Sequence, residues 1–265
     1  MLVETALGTG AVLAGGYAYA RGRRQQLYRQ LAGRTAAIVD STPVGIAVEG
    51  SQLPDFAERL AVMPDILDAP TFGVIQAEAE RLVAAERSYV PTHKKGGTVA
   101  YETLIASSPA IVALYHSPSL QGLVSRLCGE KVAPTPFRDQ SSLSVLFYDK
   151  PGDHIGWHFD HNFYRGRHFT VLLPLVNQGS APGGLSHAQL IAQLGEEERG
   201  IPTPPNVLIV FEGAKVRHKV VPIADGERRI VLSMTYCANP TSSFAQGVAR
   251  RIKDTAFFGV RALWT

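Results

Sequence analysis

The triplet His158-Phe159-Asp160, answered far downstream by His218, constrains this chain more than any other feature. Alternate side chains of an extended strand point to one face. His158 and Asp160 therefore reach toward one point from a single segment, while Phe159 points away. His218 has to arrive from a distant strand, which requires a closed or rolled sheet. Asn206 to Phe211 reads as a buried strand ending in a turn at Glu212-Gly213, with His218 just beyond. Arg229 to Tyr236 reads as another strand, entered through Asp225-Gly226, a strong hairpin signal. On this reading His218 and Arg228 face each other across one hairpin. Two imidazoles and one carboxylate suit a non-haem Fe(II) site, in which they fill one face of an octahedron and leave the other open. His154, His161 and His168 crowd the same stretch. Surplus histidines are usually surface or hydrogen-bonded residues, and only the ordered set with strands on both sides singles out His158, Asp160 and His218.

The segments LSVLFYDKPGDHIGWHFD, FTVLLPLVN, GGLSHAQL and PNVLIVFEGAKVRHKVVPIADGERRIVLSMTY, between Leu143 and Tyr236, resemble the 2-oxoglutarate/Fe(II)-dependent oxygenases, within them the prolyl 4-hydroxylase-like group. The resemblance implies an α+β fold: a double-stranded β-helix (jelly-roll) core of two facing sheets, buttressed by N-terminal helices. It implies Fe(II) held by His158, Asp160 and His218, with 2-oxoglutarate as co-substrate and O2 as oxidant, and it allows ascorbate as an accessory. It also implies decarboxylation of 2-oxoglutarate to succinate and CO2, coupled to oxidation of a C–H bond. Related halogenases lack the carboxylate ligand because chloride takes its place, so Asp160 implies hydroxylation or another oxidation instead. The family's basic anchor for 2-oxoglutarate stands about ten residues beyond the last His, where Arg228 lies. A guanidinium is planar, permanently charged and suited to bidentate carboxylate binding. Arg229 alternates with it along the strand and is expected to be a solvated surface charge. Tyr148 is either a second contact to the co-substrate or a core tyrosine with a satisfied hydroxyl. Thr170 is a further candidate for the same pocket.

Two other readings stay open at this point: a catalytically silent jelly roll that binds a ligand, and a cupin-like metal enzyme that does not use 2-oxoglutarate. The substrate is not specified by a fold shared among many chemistries. A small molecule or lipid fits better than a protein. Asn162 to Arg167, an aromatic and basic loop, and Arg138 are candidate substrate contacts, or else exposed residues with solvated charges. Lys94-Lys95 is a weak candidate for an acidic group.

The division expected along the chain is an anchor at 1–24, a mainly helical support region at 25–140, a jelly-roll core at 141–240 and a C-terminal extension at 241–265. Helical spacing marks Pro64 to Arg87, and Ser108 to Gly129 reads as two short helices broken at Ser117-Pro118. Thr5 to Ala20 carries no charge and is followed by Arg21, Arg23 and Arg24. A bilayer-spanning helix needs about 20 mostly apolar residues, and flanking arginines favour the cytoplasmic side. The expectation is a single-pass membrane anchor, a transmembrane helix with the catalytic domain in the cytoplasm. The alternatives are a Gly/Ala-rich helix packed on a cytoplasmic domain, or a targeting extension. The basic and aromatic stretch Gln246 to Trp264 covers the barrel as a helix or lies at a membrane interface. A net charge of +3 gives no case for nucleic acid. The two cysteines, Cys128 and Cys237, suit buried free thiols.

Overall fold

The computed structural model describes residues 2–47, 53–85 and 94–258. In chain order the elements are α1 (Leu2–Ser41), β1 (Leu60–Met63), α2 (Ala69–Ala85), β2 (Lys94–Lys95), β3 (Gly97–Val99), α3 (Tyr101–Ser107), α4 (Pro109–His116), α5 (Pro118–Cys128), β4 (Ala133–Pro134), β5 (Leu143–Tyr148), β6 (His154–His158), β7 (His168–Gln178), β8 (Leu190–Leu194), β9 (Glu197–Ile201), β10 (Leu208–Phe211), β11 (Arg217–Val220), β12 (Arg228–Cys237) and α6 (Phe244–Phe258). The strands form two antiparallel sheets. The larger runs β1-β10-β7-β12-β5-β3, with β4 also on β12; the smaller runs β2-β6-β11-β8-β9.

Strand alternation divides the apolar residues between two cores. Leu143, Val145 and Phe147 of β5 and Ile230, Leu232, Met234 and Tyr236 of β12 pack against the helices. Tyr148, Val231, Ile209, Phe211 and Val220 meet between the two sheets. The major sheet is covered on both faces, which explains its near-continuous apolar runs. The helical layer is pinned by local chemistry. Ser117 caps α5 through Leu120 N at 3.1 Å, and Pro118 stands in its first turn. Gly129 closes the helix in the left-handed region, at φ 65°. The Glu78 carboxylate of α2 accepts from the N-terminal amides of Ala110 and Ile111 in α4, each at 3.1 Å.

Several expectations need correction. β11 and β12 are not a hairpin: β11 pairs with β6 and β8, β12 with β4, β5 and β7. The Asp225-Gly226 turn carries the chain from the minor to the major sheet, as a rolled sheet demands. The upstream region also contributes strands, since β1 and β3 complete both ends of the major sheet. The Thr5 to Ala20 run is helical, but the expected transmembrane helix is not found: among the described residues no helix is long and apolar enough to cross a membrane. Its glycines, alanines and threonines carry little apolar surface, and the same helix continues through Arg21, Arg23 and Arg24. The farther half of α1 packs on the domain, with Leu31 and Ile38 against the helical core and Arg34 donating to Ala106 O at 2.8 Å. Residues 86 and 87 of the expected second helix, and Arg261, Leu263 and Trp264 of the C-terminal stretch, lie outside the described residues. Cys128 and Cys237 are buried free thiols.

Candidate metal centre

The ladder between β6 and β11 sets His218 directly opposite His158. Their ring centroids are 4.1 Å apart. Each ring has one nitrogen committed to the backbone two residues upstream: His158 Nδ1 donates to Gly156 O at 2.8 Å and His218 Nδ1 to Val216 O at 3.0 Å. That leaves both Nε2 atoms as lone-pair donors, the form that binds a metal. Asp160 follows the end of β6. Its amide donates to Gly213 O at 2.9 Å, which docks the loop on the turn between β10 and β11. Asp160 Oδ1 then lies 3.5 Å from His158 Nε2 and 3.7 Å from His218 Nε2. The donor atoms of these three residues lie within 4.8 Å of one another. Metal bonds of about 2.1 Å place cis donors roughly 3 Å apart, so a small closure around an ion completes the site.

The second carboxylate oxygen is held as well. Thr170 Oγ1 donates to Asp160 Oδ2 at 2.5 Å. Thr170, expected at the co-substrate pocket, lines the cavity at the triad and also orients Asp160. Gly213 has no substitute here. A Cβ on it would stand 2.3 Å from Asp160 Oδ2 and 2.6 Å from Thr170 Oγ1. Without a metal ion, burial works against a charged Asp160, but imidazoles protonated at His218 and His158 and the Thr170 hydroxyl outweigh it and hold the carboxyl well below its usual range, and an ion takes the place of those protons. Burial also lowers His218, against the pull of Asp160. A carboxylate and neutral imidazoles are the protonation states a divalent ion requires. Two nitrogens and a carboxylate on one face, with tautomers preset, fit Fe(II).

The two arginines exchange the places expected for them. Arg228 is on the helix side of β12, where Nη1 pairs with Glu80 Oε1 of α2 at 3.3 Å. Arg229 points between the sheets and is 1% exposed. It sits opposite Tyr148 in the β5–β12 ladder, with its guanidinium carbon 5.2 Å from the tyrosine ring centre. Counting from His218 misjudges the face because His218 belongs to the other sheet; alternation along β12 decides it. Neither Arg229 Nε nor the Tyr148 hydroxyl has a hydrogen-bond partner. Among the described residues no carboxylate pairs with Arg229. Burial lowers its pKa and pushes Tyr148 up to about 12. An unpaired buried guanidinium is costly, and an anionic ligand relieves it.

A cavity of about 360 Å³ opens at the triad. Apolar Leu146, Ile155, Trp157 and Phe159 form one part of its wall; Asp139, His168 and Lys253 stand in another. These last three carry no recognisable motif, and α6 brings Lys253 in from the far end of the chain. Other charged candidates make contacts within the fold. Arg167 pairs with Glu212 at 3.1 Å, and Arg138 donates to Pro240 O at 2.9 Å. His154 bonds Gly152 O through Nδ1 at 2.8 Å, and His161 stacks on Phe163; neither belongs to the triad. Lys94 and Lys95 form the edge strand β2 against β6.

Solved structures share this architecture. A Pseudomonas putida prolyl-4-hydroxylase superposes with a TM-score of 0.53 at 19% identity, covering 77% of this chain and 98% of the other. AviO1 from Streptomyces viridochromogenes Tue57 gives 0.56 at 17% identity, over 73% of this chain and 100% of that one. SnoN, a non-heme alpha ketoglutarate dependent epimerase from nogalamycin biosynthesis, gives 0.55 at 18% identity, covering 67% and 77%. At such identities the likeness establishes the fold. The protein has the fold and the HxD…H facial triad of the 2-oxoglutarate/Fe(II)-dependent oxygenases. Residues 54–187 match the family model described as HalD, Halogenase D, and the chain belongs to that family. No match is found among curated proteins.

Proposed function

We propose that the protein is a 2-oxoglutarate-dependent Fe(II) oxygenase that hydroxylates, or otherwise oxidises, a C–H bond of a small molecule. His158, Asp160 and His218 would hold the iron, which when bound couples decarboxylation of the 2-oxo acid to oxidation of the substrate. Arg229, assisted by Tyr148, would hold the distal carboxylate of 2-oxoglutarate. The deep unpaired guanidinium supports that role and argues against a silent jelly roll or a metal enzyme without an anionic co-substrate. Thr170 and the Gly213 carbonyl keep Asp160 in place, while Leu146, Ile155 and Trp157 limit water near the reacting bond.

One observation carries the choice of outcome: Asp160 is present and aimed at the same point as the two imidazoles. With His158, Asp160 and His218 all supplying donors to the iron, the place that a halide would need is taken by the Asp160 carboxylate. The family description favours a second reading, halide transfer, for which Asp160 would have to leave the metal. Turnover with Fe(II), 2-oxoglutarate, O2 and chloride, followed by mass spectrometry, distinguishes the two. The expected result is succinate together with a product that gains one oxygen. A product that gains chlorine contradicts the proposal, as does an absence of succinate.

A further inference from the structure

Helix α6 buries charges and exposes an apolar row, the reverse of an ordinary surface helix. Arg250 and Asp254 are 4% and 1% exposed and pair with each other at 2.8 Å. Lys253 reaches Asp139 Oδ1 at 3.2 Å, Ser141 Oγ at 2.8 Å and Asp254 Oδ1 at 3.0 Å. These bonds hold the helix on the barrel by its polar side. Away from that side, Phe244, Val248 and Ile252 are 90%, 38% and 66% exposed. Residues four apart on a helix lie above one another, so the three form one row. The row does not belong to a frayed end. Ser243 Oγ accepts from Gln246 N at 3.2 Å and Gln246 Oε1 accepts from Ser243 N at 2.8 Å, a capping box that fixes the first turn. Single exposed apolar side chains need no explanation; an aligned row on a fixed helix marks a contact surface.

The surroundings indicate what covers it. Arg251 is exposed beside the row, next to Ile252 and one turn from Val248. Two more arginines meet the segment 240–243 that leads into α6. Arg138 donates to Pro240 O at 2.9 Å, and Arg165, itself exposed, donates its amide to Thr241 O at 2.9 Å. Among the described residues that build this region, Arg138, Arg165, Arg250, Arg251 and Lys253 outnumber Asp139 and Asp254. Helix α1 is rooted at the same place. Its Leu27 and Leu31 line a small cavity with Phe137 and Gln140, which flank Arg138 and Asp139, and farther along it Tyr19, Arg21 and Arg23 are exposed. A second copy of the chain seated here would bring two positive faces together, which is unfavourable. Three side chains also fall well short of the roughly 800 Å² per partner of a stable protein interface. An anionic lipid surface answers both features: a helix lying in the headgroup layer buries its apolar row there, and nearby Lys and Arg side chains are drawn to the lipid phosphates.

We propose that α6 docks the protein peripherally on an anionic lipid bilayer, with Phe244, Val248 and Ile252 inserted among the headgroups and Arg251 against lipid phosphates. The surface lies apart from the triad and stands or falls without the oxygenase reading. The test sediments the full chain with vesicles of phosphatidylcholine alone and of phosphatidylcholine mixed with phosphatidylglycerol. Partitioning onto the anionic vesicles should be at least tenfold stronger. The triple variant Phe244→Gln, Val248→Gln, Ile252→Gln keeps good helix formers on α6; it should lose that binding at least tenfold with its thermal unfolding unchanged. Arg251→Gln should lose about fivefold. A polarity-sensitive dye on Val248→Cys should shift to the blue with anionic vesicles, and the same dye on Glu197→Cys, exposed on the edge strand β9, should not. The dye comparison decides the matter if the triple variant fails to fold. Equal partitioning onto both vesicle types, no partitioning, a folded triple variant that binds like wild type, or a Val248 dye that responds no more than the Glu197 dye would overturn the proposal. So would a dimer in light scattering that depends on the apolar row and forms without vesicle binding, which would assign the surface to a second copy.

Discussion

Arg229, fully buried, and Lys253, half-buried, are both cations beside the same barrel interior, and they are held in opposite ways. Lys253 has three partners, two of them carboxylates. Arg229 has a tyrosine ring, no carboxylate and an orphaned Nε. They stand toward opposite ends of the β5–β12 ladder: Arg229 opposite Tyr148, Lys253 beside the residues that lead into Leu143. A charge that finishes its pairing within the fold supports architecture. A charge left incomplete inside the fold is fit for an anionic ligand. The difference marks Lys253 as an architectural charge and Arg229 as the one suited to an anionic ligand.

Substitutions sharpen that contrast, beginning with the triad between the two ends. Asp160→Ala should reduce succinate formation by on the order of 100-fold or more, since loss of a ligand exceeds the 10–100-fold typical of outer-shell changes. Lys253→Met should cost about 3–5 kcal/mol in chemical denaturation, because Asp139 is left buried without its counterion. Arg229→Met should do the reverse in ligand-free protein, raising stability by about 1–4 kcal/mol, while weakening 2-oxoglutarate binding about 100-fold. If Arg229→Met is strongly destabilising and leaves co-substrate affinity intact, the contrast fails. Arg228→Ala should change both by less than about twofold or 1 kcal/mol, as expected of an exposed ion pair.

A smaller effect lies away from both ends. Glu227 is buried and accepts from Ala224 N, His187 N and Ser180 N, as well as the His187 ring. Against the cost of burial, these donors hold it down at about 2. A carboxylate with a depressed pKa stabilises the fold above its unfolded value near 4.3, and that contribution is lost as pH falls toward 2. Glu227→Gln should cost about 2 kcal/mol at pH 7. The gap from wild type should narrow between about pH 4.5 and pH 3 in denaturation curves; a gap that widens there would reverse the assigned sign.

The triad was legible because its information is local. The i, i+2 spacing of His158 and Asp160 defines a face, and the apolar run ending at Phe211 delivers the turn before His218. Strand β5 and the helix break at Ser117-Pro118 follow equally local signals, an apolar run in one and capping chemistry in the other. What escaped depends on pairing across the fold. Arg228 was favoured by counting from His218, but that residue sits in the other sheet and cannot set the inward face of β12. β1 and β3 are too short to show alternation and become strands only by joining β10 and β5. Gly213 reads as a turn residue until Asp160 and Thr170 are packed against it. The lack of charge over Thr5 to Ala20 suggests a membrane-crossing helix, yet its glycines, alanines and threonines leave it short of the apolar surface that crossing needs.

The account depends most on iron and 2-oxoglutarate meeting between His158, Asp160, His218 and Arg229. Anaerobic titration with 2-oxoglutarate, followed by the visible charge-transfer absorption of a 2-oxo acid chelated to Fe(II), tests this directly. The wild type and Arg228→Ala should develop the band at similar concentrations, Arg229→Ala only at far higher ones, and Asp160→Ala should give at most a weakened one. A wild-type protein that binds no Fe(II), or an Arg229→Ala protein that titrates like wild type while Arg228→Ala does not, would contradict it.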